Sequence, residues 1–225
     1  MDPLDSGPIY KETLMGRFPV EPWNTASNLL FLFIVIYWAL KVYKNYRTHR
    51  FIAFCLPVLF IGYIGGTVYH ATRSHEAWLL MDWVPILLLC LSVSIYFSIK
   101  QRLAWYHIFL LISLPMTLSF SLRHVTDVSR NVGSIVSYSM MAFVIVYPIA
   151  NYLRKTNWEN HIWMLLAVGA FIAAITFRSI DKLVYFELLP MGTHWLWHSF
   201  GALSAHFLMV YIYRDGLRYP SRLMT

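Results

Sequence analysis

Charge is the first thing this sequence lacks. Only 13% of its 225 residues are Asp, Glu, Lys or Arg, against 58% hydrophobic, and the charged share is about half that of a typical soluble chain. A soluble domain needs a polar skin over its core, and this composition does not supply one. Cysteine is scarce as well. Cys55 and Cys90 both lie in apolar runs, where a thiol is a small buried hydrophobe, so a disulfide-stapled secreted scaffold is excluded. Low-complexity polar segments are missing, which excludes a disordered chain. A basic start of the signal-peptide kind is missing too, because the opening MDPLDSGPIY is acidic and polar. What remains is apolar length. The formal charge of +7 is better explained by basic loops facing a membrane's inner leaflet than by nucleic acid. The chain reads as an integral membrane protein.

About 20 apolar residues cross a bilayer as a helix. Candidate spans cover roughly 25–43, 51–71, 77–99, 103–122, 132–153, 161–180 and 193–213, joined by short connections. The expected fold is therefore an all-α bundle of seven transmembrane helices, one domain over 1–225. It has a short acidic N-terminal segment (1–24) and a short basic tail (214–225). Pro57, Pro85, Pro115 and Pro148 fall inside spans and should bend helices whose freed carbonyls find other donors. One face carries Lys41, Lys44, Arg47, Arg50, Lys100, Arg102, Arg154, Lys155, Arg214, Arg218 and Arg222 against Glu159 and Asp215 alone. The other mixes Lys11, Arg17, Arg73, Arg123, Arg130, Arg178 and Lys182 with Asp2, Asp5, Glu12, Glu21, Glu76, Asp127, Asp181 and Glu187. This asymmetry predicts a cytosolic C-terminus and an N-terminus that is outside or lumenal.

Ionisable side chains are costly inside a membrane, so each one in a span is a functional candidate. Span 2 ends GYIGGTVYHATRSHE and places His70 near its outer end. Span 3 begins AWLLMDWVP and sets Asp82 about a turn and a half inside the same face. Span 7 begins GTHWLWHSF, with His194 and His198 four residues apart and so on one side of the helix. Three neutral imidazoles and an open position describe a catalytic zinc site, which supplies a hydrolytic nucleophile at neutral pH. Asp82 could then move the proton. Thr67, three residues before His70, could donate to a developing oxyanion. The chemistry fits amide or ester hydrolysis, and the location implies a lipid substrate.

Other features have plainer readings. His107 and His206 read as interhelical polar groups, and His49, His75, His124 and His161 as solvated residues at loops and helix ends. Gly65 and Gly66 read as a close helix contact. Trp23, Trp78, Trp83, Trp195 and Trp197 read as an interfacial belt. Asp181 reads as an interface partner of Arg178 or Lys182.

The same residues carry a family resemblance. EPWNTASNLLF at 21–31 resembles the E-x-W-N-T-x-S-N start of span 1 in alkaline ceramidases. GGTVYHATRSHEAWLLMDWVP resembles their G-S-x-x-x-H…L-D-E-x-P block, SIDKLVYFE their I-D-x-x-x-C-E segment, and THWLWHSFGAL their H-x-W-W-H motif. The resemblance implies an intramembrane amidase that splits ceramide into sphingoid base and fatty acid. Its zinc would sit on His70, His194 and His198, with Asp82 as catalytic acid and base. The family serine falls at Gly66, which leaves Thr67 to take its part, and the gap from His70 to Asp82 is one residue longer. The resemblance also implies calcium at Asp5 and Glu21, with Pro8 and Tyr10 standing where the family has an acid and an asparagine. The two cysteines of the family disulfide read Gly7 and Tyr185 here, so the N-terminal segment should be held by packing. Two alternatives share the sequence features: a hydrolase of phospholipid esters or other N-acyl lipids, and a non-enzymatic heptahelical receptor whose zinc only braces helices. In the receptor, Asp82 would close the site as a fourth ligand.

Overall fold

The computed structural model describes residues 3–124, 130–181 and 189–219. Expectations resting on Asp2, Asp127, Lys182, Tyr185, Glu187 and Arg222 lie outside the described residues, as do those on the side chains of Arg123, His124 and Arg130. Among the described residues all regular structure is helical: α1 (Pro22–Ser27), α2 (Leu29–Val42), α3 (Arg50–Thr72), α4 (Glu76–Lys100), α5 (Trp105–His124), α6 (Arg130–Lys155), α7 (His161–Ile180) and α8 (His194–Arg218). The stretch Pro22–Asn45 and the helices α3, α4 and α7 are each long and apolar enough to cross a membrane. Every expected span coincides with helix. α8 is more polar than these, because it carries His194, His198, His206, Arg214 and Asp215.

The chain divides into two compact units, Met1–Leu88 with Asn160–Pro220, and Leu89–Glu159. In the first, α7 packs along α8, α2 packs on α3, and the short α1 touches both α3 and α8. In the second, α5 packs against α6. A proline leaves the carbonyl four residues before it without its helical donor. The carbonyl of Ala53, four before Pro57, accepts the Tyr43 hydroxyl at 3.2 Å. The carbonyl of Val144, four before Pro148, accepts the Ser94 hydroxyl at 2.7 Å. Gly65 takes the approach expected of it, since a Cβ there would lie 2.6 Å from the carbonyl oxygen of Met81, four before Pro85.

Two histidine expectations need revision. His49 is buried rather than solvated, its ring stacked on Tyr213 at 4.2 Å between centroids. His107 is exposed, its ring against the neighbouring Tyr106 at 4.2 Å. His206 does join two helices, accepting the Trp38 indole N–H at Nδ1 over 3.3 Å.

The N-terminal segment folds back over the first unit. The N–H groups of Val20, Glu21 and Leu4 donate to the carbonyls of Ala71, His70 and Arg73, satisfying acceptors that the end of α3 leaves open. Ser6 donates through its N–H and hydroxyl to the Glu76 carboxylate at the start of α4. Both cysteines are free thiols. At Gly7 a Cβ would collide with the Tyr69 hydroxyl, so the space a side chain would need is already filled.

Candidate metal centre

Three histidines converge where the end of α3 meets the start of α8. His70 lies in the last turn of α3, and His194 and His198 lie one turn apart at the start of α8. Their ring centroids are separated by 5.3 Å (His70–His194), 4.8 Å (His70–His198) and 4.8 Å (His194–His198). One nitrogen from each lies within 4.8 Å of the other two. All three rings are buried.

The hydrogen bonding of the rings tests whether they suit a metal. His70 Nδ1 donates to Glu21 Oε2 at 2.5 Å, which leaves the lone pair on Nε2. His198 Nδ1 lies 2.8 Å from the Ser27 hydroxyl and 3.1 Å from the Asn24 carbonyl oxygen, which again turns Nε2 inward. The Nε2 atoms of His70 and His198 and both nitrogens of His194 are buried without a hydrogen-bond partner. Orphaned buried acceptors are costly, and a cation among them removes that cost. A ligating imidazole ordinarily donates its other N–H to a carboxylate, carbonyl or water, as two of these do. The residues fit a metal ion of the kind imidazoles ligate.

The short helix α1 is what orients the rings. Glu12 accepts the N–H groups of Trp23 at 2.9 Å and Asn24 at 2.6 Å, capping α1, and burial holds its carboxyl above the usual range. That cap fixes α1 so that Asn24 and Ser27, three residues apart, both reach His198. His194 is placed differently. Asp181 accepts the N–H of Thr193 at 2.7 Å and of His194 at 2.9 Å through Oδ1, and the N–H of Lys11 at 3.3 Å through Oδ2. Its carboxyl group thus caps the N-terminus of α8, a role its sequence neighbours did not announce; the expected pairing with Lys182 lies outside the described residues. Tyr10 stacks on the His194 ring at 3.7 Å and 22°.

Thr67 precedes His70 by three residues on α3, and Asp82 stands on α4. Thr67 Oγ1 is buried and makes no hydrogen bond. Thr72, Thr117, Thr156 and Thr176 instead bond the carbonyl one turn back. Asp82 stands outside the metal-ligating group. Its Oδ1 lies against Gly66, where a Cβ would come to 2.5 Å from it and to 3.1 Å from Asn28 Oδ1. Gly66 therefore makes the room that Asp82 and Asn28 occupy.

Asp5 and Glu21, the expected calcium ligands, are close together, but Arg73 lies between them. Its Nε and Nη2 donate to Asp5 at 2.9 and 2.6 Å, and Nη1 donates to Glu21 Oε1 at 2.8 Å. The Glu21 carboxylate also accepts Thr13 Oγ1 at 2.6 Å, Asn24 Nδ2 at 3.2 Å and His70. Burial would raise its pKa, and the hydrogen bonds from His70, Thr13 and Arg73 outweigh that and hold it below the usual range. Calcium takes six to eight oxygens, and here those oxygens already accept from a guanidinium. The residues do not fit calcium.

Sequence reasoning missed Tyr10, Asn24, Ser27, Arg73 and the capping role of Asp181. The spacing of Asn24 and Ser27 on one face of a short helix was the available signal. No signal could have paired Arg73 with Asp5 across 68 positions.

No family model matches the chain. The chain is similar to alkaline ceramidase 3 of Mus musculus, with 27% identity over 134 residues, covering 57% of this chain and 48% of that protein. It thus spans about half the length of the curated relative it matches. At family level, the match supports the resemblance to alkaline ceramidases.

Proposed function

We propose that this chain is a zinc-dependent intramembrane amidase that hydrolyses the N-acyl bond of ceramide to a sphingoid base and a fatty acid. It would span a membrane seven times, with a lumenal or external N-terminus and a cytosolic C-terminus, in a bacterial inner membrane or in the endoplasmic reticulum or Golgi. The observation that carries the reading is the set of unpartnered, buried nitrogens on His70, His194 and His198. Their rings are oriented from behind by Glu21, Ser27 and Asn24.

Zinc held there would act as a Lewis acid and lower the pKa of water at an open position to about 7. Asp82 takes the proton from the attacking water and returns it to the nitrogen as the C–N bond breaks, so that amine and carboxylic acid leave. Thr67 donates its hydroxyl to the carbonyl oxygen as negative charge develops, and its lack of any internal acceptor supports that part. A site closed by four protein ligands would favour the receptor alternative. Asp82 standing outside the ligand group favours hydrolysis.

Elemental analysis of the purified protein, paired with a ceramide hydrolysis assay on the same sample, tests this. The expected result is about one zinc per chain, with sphingoid base and fatty acid released. His198→Ala should lose the metal and the turnover together. Full zinc occupancy in that variant would remove His198 from the ligand set. Phospholipid cleavage without ceramide cleavage would move the substrate to the ester alternative.

A further inference from the structure

Arg73 is fully buried, and so are the side chains it meets on Asp5 and Glu21. It ends α3 at φ +50°, in the left-handed region, which a side chain other than glycine or asparagine rarely adopts. That backbone turns the guanidinium back under the N-terminal segment. There it makes five hydrogen bonds: two to Asp5, one to Glu21, and one each to the carbonyls of Pro8 at 3.0 Å and Gly7 at 3.2 Å. Two carboxylates and two carbonyls around one point are the oxygen donors a calcium ion selects. Here a planar cation with five fixed donors fills the middle of them. Burying two carboxylates without a cation would be prohibitive, so the positive charge is a requirement of the fold and not an accessory.

The pairing reaches the metal centre in a single further step. Glu21 Oε1 receives Arg73, while Oε2 of the same carboxylate receives His70 Nδ1. Rotating that carboxylate would move the ring.

We propose that Arg73 is a built-in cation that stands where a bound calcium would otherwise be needed. It clamps Asp5 to Glu21 and, through Glu21, positions His70 for its metal. Arg73 is a positioning residue and touches no substrate. The last link, from Glu21 to His70, rests on the three-histidine reading above; the clamp itself does not.

The test uses the full-length protein in detergent, with thermal unfolding and zinc content measured in calcium-free buffer and again with calcium chloride. The wild type should unfold at the same temperature in both, and calorimetry should show no calcium uptake. Arg73→Met leaves the oxygens without a cation. It should unfold at lower temperature, retain zinc about 10- to 100-fold more weakly, and recover part of both losses when calcium is added. A merely structural arginine would not exchange its role for a metal ion in this way. Arg73→Lys keeps the charge but loses the fork, and should be less stable than wild type yet indifferent to calcium. Stabilisation of the wild type by calcium would overturn the proposal, as would an Arg73→Met protein that is unaltered or ignores calcium. Should Arg73→Met fail to fold, the wild type and Arg73→Lys still decide it, since calcium stabilising either one overturns it. A wild type that binds no zinc would sink the metal reading and leave the unfolding measurements interpretable.

Discussion

The Ser27 hydroxyl lies 2.8 Å from Nδ1 of His198, across 171 positions of sequence. A six-residue helix, α1, thereby sets which nitrogen of a histidine on α8 faces inward. Ser27→Ala should weaken zinc binding about tenfold, at the low end of what such supporting contacts contribute, because the Asn24 carbonyl remains as a second acceptor. Competition with a chromophoric chelator measures it. An unchanged affinity would mean that the carbonyl alone suffices.

Asp82→Asn should keep zinc and lose turnover. The amide is nearly isosteric and fits the space beside Gly66, but it cannot accept the proton of water, and such groups contribute about 10²–10⁴ in rate. Metal content and initial rate on one preparation check this. Loss of zinc in the variant would make Asp82 a ligand.

Thr67→Val removes a donor and keeps the branched shape. The loss should fall on kcat, by about 10²–10³, with KM little changed, because the bond strengthens only as the oxyanion forms. A variant within about threefold of wild type would be far below that range and would return Thr67 to the packing of α3.

His49 should give the protein a pH-dependent stability. Burial, and then the nearby Lys41, hold its pKa below the ordinary value, so the folded chain resists a proton that the unfolded chain accepts. Its contribution is complete above about pH 6.5, where the unfolded ring is already neutral, and declines as pH falls from there towards the folded value. His49→Phe keeps the stack on Tyr213 and removes the titration. Thermal unfolding followed from neutral to mildly acidic pH should therefore fall less steeply in the variant. Identical slopes would exclude His49 as the cause.

Most of the helices were legible because they are long apolar runs, and the three histidines because polar side chains stand out within or beside such runs. His194 and His198 also advertise themselves by a four-residue spacing that one helix face explains. The groups behind them were not legible as such. Glu21 was visible as an acid before W-N, but a carboxylate bound by arginine and one bound by calcium look alike in a sequence. Arg73 read as one more basic loop residue because its partners Asp5 and Glu21 come from a distant segment. Asp181 read as an interface charge because its sequence neighbours are basic, whereas among the described residues it accepts backbone N–H groups at the start of the next helix and from Lys11. His49 sits at a loop and so reads as wet until Tyr213 closes over it. In each case the missing term was a tertiary contact, between distant segments for Arg73 and His49 and across one connection for Asp181.

The borrowed hydroxyls at the proline carbonyls bear on how far these helices can slide. Ser94 on α4 serves Val144 on α6, and Tyr43 serves Ala53. A shift of α4 along α6 by one turn would carry the Ser94 hydroxyl about 5.4 Å from its acceptor. The Val144 carbonyl, on a buried residue, would then be bare, and an acceptor left unpaired in that way costs about 1–3 kcal/mol. Apolar ridges alone would tolerate such a shift, since one greasy turn resembles the next. Pro148 thus works as a register pin: it opens a single acceptor on α6 that Ser94 of α4, in this alignment, fills.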